Sequence, residues 1–117
     1  MIAVIFEVEP GHAAASRYFE IAAALKGDLE TIDGFISVER FESIARPGHY
    51  LSLSFWRDEA AVREWRCHAM HRQAQHEGRD GMLAGYRLRV ATVVRDYGMF
   101  EREQAPADSR SAHERAA

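Results

Sequence analysis

Across residues 51–77 the chain changes its hydrophobic period, and that change restricts the fold more than any other stretch. Leu51, Leu53 and Phe55 alternate with Ser52, Ser54 and Trp56, the period of two expected of a strand. Asp58 then offers a carboxylate to the first free amides of a helix, and Glu59 adds negative charge at the positive end of its dipole. Val62, Trp65 and Ala69 follow at helical spacing, which turns Trp65 back towards the sheet. Both tryptophans and three of the six histidines (His68, His71 and His76) lie in this stretch, so it is the first place to look for chemistry.

The other elements assemble around that unit. In residues 2–9, Ile2, Val4, Phe6 and Val8 form one strand face, and Ala3, Ile5, Glu7 and Glu9 the other, before Pro10-Gly11 stops the strand. Residues 12–31 read as a helix with Tyr18, Ile21, Ala22, Leu25 and Leu29 on one stripe, and Gly27 marks a place for a bend. Asp33-Gly34 is a turn into a strand over residues 35–43, with Phe35, Ser37, Glu39 and Phe41 on one face and Ile36, Val38 and Arg40 on the other. Arg46-Pro47-Gly48 predicts a hairpin between that strand and the next. Three glycines in residues 78–85 read as a loop, and residues 86–96 as the last strand.

The order strand, helix, strand, strand, helix, strand predicts an α+β, ferredoxin-like βαββαβ fold, with both helices on one face of a four-stranded antiparallel sheet. The second sheet face also carries apolar residues. Left uncovered it would be a large apolar patch, so a homodimer closed sheet to sheet is expected. Residues 99–117 hold Glu, Arg, Ala and Ser without a lasting apolar period and read as a mobile charged tail after a domain of residues 1–98.

At 117 residues the chain is long enough for one core and too short for two. A net charge of −3 leaves no basic stripe for nucleic acid or an anionic membrane. The lone Cys67 precludes an intrachain disulfide, and the short apolar run at the N-terminus lacks the basic flank of a signal peptide, so a cytoplasmic location is expected.

Among candidate site residues Trp65 stands first, as a core aromatic or as the wall of a pocket between helices and sheet. The histidines form no metal-binding spacing, so no metal is expected. His76 follows Trp65 by eleven residues, which on a continuous helix puts the two on one face, whereas His71 joins them only if the helix breaks near Cys67-His68. Either imidazole would suit a general base or a ligand contact. Cys67 reads as a small buried filler, and Arg87, Arg89 and Arg95 as a charged row in which Arg87 is the candidate for holding an anionic substrate. Phe6 and Phe55 are further candidate contacts.

MIAVIFEVEPG, DGFISVERFES, LSLSFWRDEAAVREWR with the following His71, and YRLRVATVVRDYG together resemble the antibiotic biosynthesis monooxygenase domain, in order over about residues 1–98. The resemblance implies a dimeric α+β barrel, often with the last strand reaching across to the partner. Some members of that family oxidise polycyclic aromatic molecules with dioxygen and no metal or flavin, the substrate anion supplying the electrons. Others bind haem and open its ring, using an asparagine on the first strand, a tryptophan on the second helix and a histidine about ten residues on. Here Trp65 matches the tryptophan, Glu7 stands at the asparagine position, and Gln75 and His76 follow Trp65 by ten and eleven residues. The expectation is therefore a cofactor-independent monooxygenase that holds a small aromatic or quinol-type molecule against Trp65, with His71 as the catalytic base and His76, Phe6, Phe55 and Arg87 as contacts. Haem binding or degradation is the first alternative, and a non-catalytic dimeric module for a small ligand the second.

Overall fold

The computed structural model describes residues 1–11, 15–68, 72 and 83–113. Strand β1 (Ile2–Pro10) leads into helix α1 (Ala15–Leu29), then β2 (Phe35–Glu42), β3 (Tyr50–Trp56), helix α2 (Glu59–Arg66), β4 (Leu83–Thr92) and a short helix, α3 (Ala107–His113). The strands form one antiparallel sheet in the order β2-β3-β1-β4. The expected βαββαβ arrangement is therefore present, with β1 at the centre between β3 and β4.

Register decides which side chains share a face. Phe6 stands opposite Ser52 and Leu88, and Ser52 opposite Arg40, so these four form a row across the helix-covered side. Val4, Ser54, Val38 and Val90 form the next row. The apolar stripe of α1 lies on these rows: Tyr18, Ala22 and Leu29 are buried, and Ile21 and Leu25 face the same space. Beyond them Ile2, Leu29, Trp56, Ala61 and Val62 close a core, with Trp56 the largest fully buried side chain. The opposite side of the sheet carries Ile5, Leu51, Leu53 and Phe55, half-buried, beside the Glu7–Arg89 ion pair at 2.9 Å.

Two turns depend on glycine. Gly34 (φ +92°) leads into β2, where its carbonyl accepts from the Arg57 amide at 2.7 Å, and Gly48 (φ +88°) closes the β2–β3 hairpin. At Gly34 the backbone conformation is one that residues with a Cβ adopt only with strain.

The structure departs from the sequence reading in several places. Ile36 is the extra residue of a bulge, since Phe35 pairs with Trp56 and Ser37 with Phe55. The bulge returns Phe35 to the helix side, 5.3 Å edge-on from Trp56, rather than to the face shared by Ser37 and Glu39. Strand β4 starts at Leu83 and takes in Gly85, because β1 extends far enough to pair with it, and it ends at Thr92 rather than at residue 96. Helix α1 runs through Gly27 without interruption.

Helix α2 ends at Arg66, with Cys67 as its C-cap, so it does not continue towards residue 76. Cys67 is exposed rather than a buried filler, since the cap position faces solvent. Residues 107–113 of the expected tail are helical, and the chain before them is ordered by Arg102, whose guanidinium donates to the Gly98 and Ser109 carbonyls and lies over the Tyr97 ring. No helix among the described residues is long and apolar enough to cross a membrane.

Candidate functional site

Between α1, α2 and the sheet lies a cavity of about 380 Å³. That is a size at which proteins commonly hold small molecules, roughly 300–1,000 Å³. Helix α1 contributes Tyr18, Ile21 and Leu25, and the sheet contributes its two central rows. Helix α2 reaches it because Asp58 fixes its start: the Asp58 carboxylate accepts from the Ala61 amide at 3.0 Å. Trp65, two turns further on, then lies against the core and walls the cavity. Edge strand β4 supplies Tyr86 and Leu88, each about half exposed (51% and 50%), so the cavity is most open on that side.

The walls are mainly apolar, and their polar groups are few and concentrated. Ser54 is buried, and its Oγ accepts from the Trp56 indole Nε1–H at 2.9 Å. Arg40 stands opposite Ser52 across the β2–β3 ladder, and the buried Tyr18 hydroxyl is within hydrogen-bonding reach of Arg40 from α1. Burial pushes the Tyr18 phenol above its usual pKa, with Arg40 pulling the other way, so Tyr18 is a protonated donor at neutral pH. Among the described residues, the buried Arg40 Nε–H has no acceptor. Such an arrangement is equipped to bind and orient an oxygen-bearing apolar molecule.

Of the residues singled out from sequence, Trp65 and Phe6 meet in this cavity. Phe55 does not: it pairs with Ala3 and Ser37 on the opposite side of the sheet, because neighbouring strand positions alternate faces. Arg87 also lies elsewhere, in a separate hollow with Glu9 and His49 at the far end of the sheet. His71 and His76 fall outside the described residues. The continuous helix that would have put His76 on one face with Trp65 ends at Arg66, so the eleven-residue spacing no longer carries that inference. His68 packs on Trp65 with ring centroids 5.5 Å apart.

Sequence reasoning did not pick out Tyr18, Arg40 and Ser52 as site residues. The signal was present: Arg40 shares a strand face with the apolar Val38, an unusual place for a charge, and Tyr18 lies in the apolar stripe of α1.

Of the three positions implied for haem degradation, Trp65 lines the cavity, Glu7 is engaged by Arg89 on the other side of the sheet, and His76 falls outside the described residues; β1 presents Val4 and Phe6 to the cavity instead. No group of three His, Cys, Asp or Glu side chains among the described residues is placed to hold a metal ion. Among the described residues, β1 offers the cavity no polar side chain at the position implied for haem degradation.

Comparison with known proteins agrees with the fold and sharpens the family. The profile of the antibiotic biosynthesis monooxygenase family matches residues 1–77. A jasmonate monooxygenase of Pyricularia oryzae is 50% identical over 94 residues, covering 80% of this chain and 44% of that protein. The uncharacterised protein YqjZ of Bacillus subtilis is 34% identical over 62 residues, covering 53% of each. The chain thus spans about half the length of these curated relatives. Among solved structures, Rv0793 of Mycobacterium tuberculosis superposes with a TM-score of 0.74 over 83% of this chain and 98% of that one at 18% identity, a likeness of fold.

Proposed function

Because the chain belongs to the antibiotic biosynthesis monooxygenase family, we propose that it oxygenates a small, mainly apolar molecule held in the cavity between α1, α2 and the sheet. The observation that carries this reading is the cavity itself, an apolar chamber walled by Trp65 and given a few oxygen-binding groups at one end. A substrate with an acidic C–H bond can supply all the electrons. Removal of a proton leaves a carbanion or enolate, which reduces dioxygen; the activated CH₂ becomes C=O, and the second oxygen atom leaves as water. One substrate and one O₂ give one ketone and one water, with no outside reductant. The Tyr18 hydroxyl and the Arg40 guanidinium suit a negatively charged oxygen of the substrate, since donors in a water-poor site favour negative charge. Trp65 orients the substrate, and His71, or His76, takes its proton; that last assignment rests on the sequence alone.

The relative from Pyricularia makes jasmonate a reasoned first substrate, and an anthrone-type aromatic is the second. Oxygen uptake by the purified chain should track substrate loss one to one, and Trp65→Ala should lower the rate at least tenfold with the circular dichroism spectrum unchanged. Binding of either compound without oxygen uptake would make the protein a small-ligand module instead. A Soret shift on adding haemin, lost in His71→Ala or His76→Ala, would revive the haem reading.

The exposed apolar side of the sheet supports a homodimer closed sheet to sheet. Ile5, Leu51, Leu53 and Phe55 cluster there with Phe41, which is 42% exposed. A second copy presenting the same surface would cover them symmetrically.

A further inference from the structure

The row Arg40–Ser52–Phe6–Leu88 runs from polar to apolar across the floor of the cavity. At its polar end the buried Arg40 Nε–H lacks an acceptor, and no ion pair joins Arg40 to a carboxylate among the described residues. A buried N–H left without an acceptor is costly, and proteins keep few of them. We propose that Arg40, with the Tyr18 and Ser52 hydroxyls, is the anchor for the carboxylate of an amphipathic monocarboxylic acid whose hydrocarbon body extends over Phe6 and Leu88 towards β4.

Three elements bring a donor each to one end of the cavity: Nε–H from β2, Oγ–H from the directly opposed position on β3, and the phenol from α1. All three donate, and a carboxylate has acceptor sites for each. The phenol stays protonated because burial disfavours its anion, so its O–H is left to donate to a carboxylate while its oxygen faces the Arg40 guanidinium. Arg66 and Arg72 also border the cavity, but both are exposed, and water screens their charge. The anchor would fix the orientation of the acid and so choose which carbon lies against Trp65. This inference takes the cavity of the proposed oxygenation as the binding site and names its substrate class.

The test is calorimetric titration of the full chain with 4-phenylbutanoic acid and with its neutral isostere 4-phenylbutanamide. The wild-type protein should bind the acid at least tenfold more tightly than the amide. Arg40→Leu should abolish that preference by weakening the acid at least tenfold more than the amide, and Arg40→Lys should keep part of it. Tyr18→Phe should weaken the acid severalfold. A structural role for Arg40 predicts a lower melting temperature in Arg40→Leu; an anchor whose Nε–H has no acceptor in the free protein predicts an unchanged or higher one. Equal affinity for acid and amide, a preference surviving in Arg40→Leu, or binding of neither compound would overturn the proposal. Oxygen uptake with an anthrone, which has no carboxylate, reports on the oxygenase reading separately. Uptake that continues while the acid preference is missing would remove the anchor alone.

Discussion

The Ser54 hydroxyl accepts the Trp56 indole N–H at 2.9 Å, both side chains lying on the helix side of β3. The strand period of two allows the contact, since residues two apart share a face. Trp56 is 1% exposed, so its N–H has no water to turn to. Ser54→Ala should therefore cost about 1–3 kcal/mol by leaving a buried donor unpaired. Trp56→Phe removes the donor as well, so the double variant should lose less than the sum of the singles. Urea unfolding of the four proteins of this cycle measures the coupling directly.

Gly34 brings the β2 entrance against the start of α2. A Cβ at Gly34 would stand 2.8 Å from the Ala61 Cβ and 3.3 Å from the Arg57 guanidinium carbon, at a φ of +92°. Ala61 is buried in the core and cannot swing aside, so the strain adds to the contact. Gly34→Ala should destabilise the fold by at least about 1–3 kcal/mol. Gly34→Ala combined with Ala61→Gly should recover the steric part and leave the backbone part, which thermal denaturation would separate.

Asp58 caps the helix that carries Trp65. Its pKa lies below the usual carboxylate range, chiefly because the Ala61 amide donates to it, with Arg57 assisting. A lowered folded-state pKa gives stability that is complete above the unfolded value and fades as pH falls through the folded one. Asp58→Ala should thus melt at a lower temperature than wild type near neutral pH, and the difference should shrink in acid as the wild-type carboxylate takes its proton. Asp58→Asn retains a capping oxygen and should keep most of the stability without that pH dependence.

Much of this architecture was legible in sequence because its causes are local. The alternation of Leu51 to Trp56, the cap at Asp58 and the stripe Tyr18–Ala22–Leu29 each follow from neighbours a few residues away. The bulge at Ile36 was not, since an extra residue leaves no mark on the period until its partner strand is known. That one residue decides the side on which Phe35 packs. The end of α2 at Cys67 was also hidden: no glycine or proline marks it. The cavity's polar corner needed register most of all. Arg40 and Ser52 are distant in sequence and become neighbours only through the β2–β3 pairing, and Tyr18 joins them only once α1 lies across the sheet. Phe55 and Arg87 were candidates by residue type, and face and position removed them from the cavity.

The two sides of the sheet also make the proposed dimer separable from the cavity. Leu53 pairs with Ile5 and Glu39 on the side away from the cavity, whereas Phe6 and Ser52, next along their strands, look into the cavity. A charge at position 53 would sit beside Glu39 and, in a sheet-to-sheet dimer, near its symmetry copy, where two like charges would be taken out of water together. In a lone chain the same side chain would be solvated. Leu53→Glu should shift sedimentation from twice the chain mass to the chain mass, with little change in far-ultraviolet circular dichroism. Ligand affinity reported by calorimetry should survive in the monomer if every cavity wall comes from one copy. A wild-type chain that sediments as a monomer would remove the dimer, and a Leu53→Glu monomer that no longer binds would mean that the partner helps to shape the cavity.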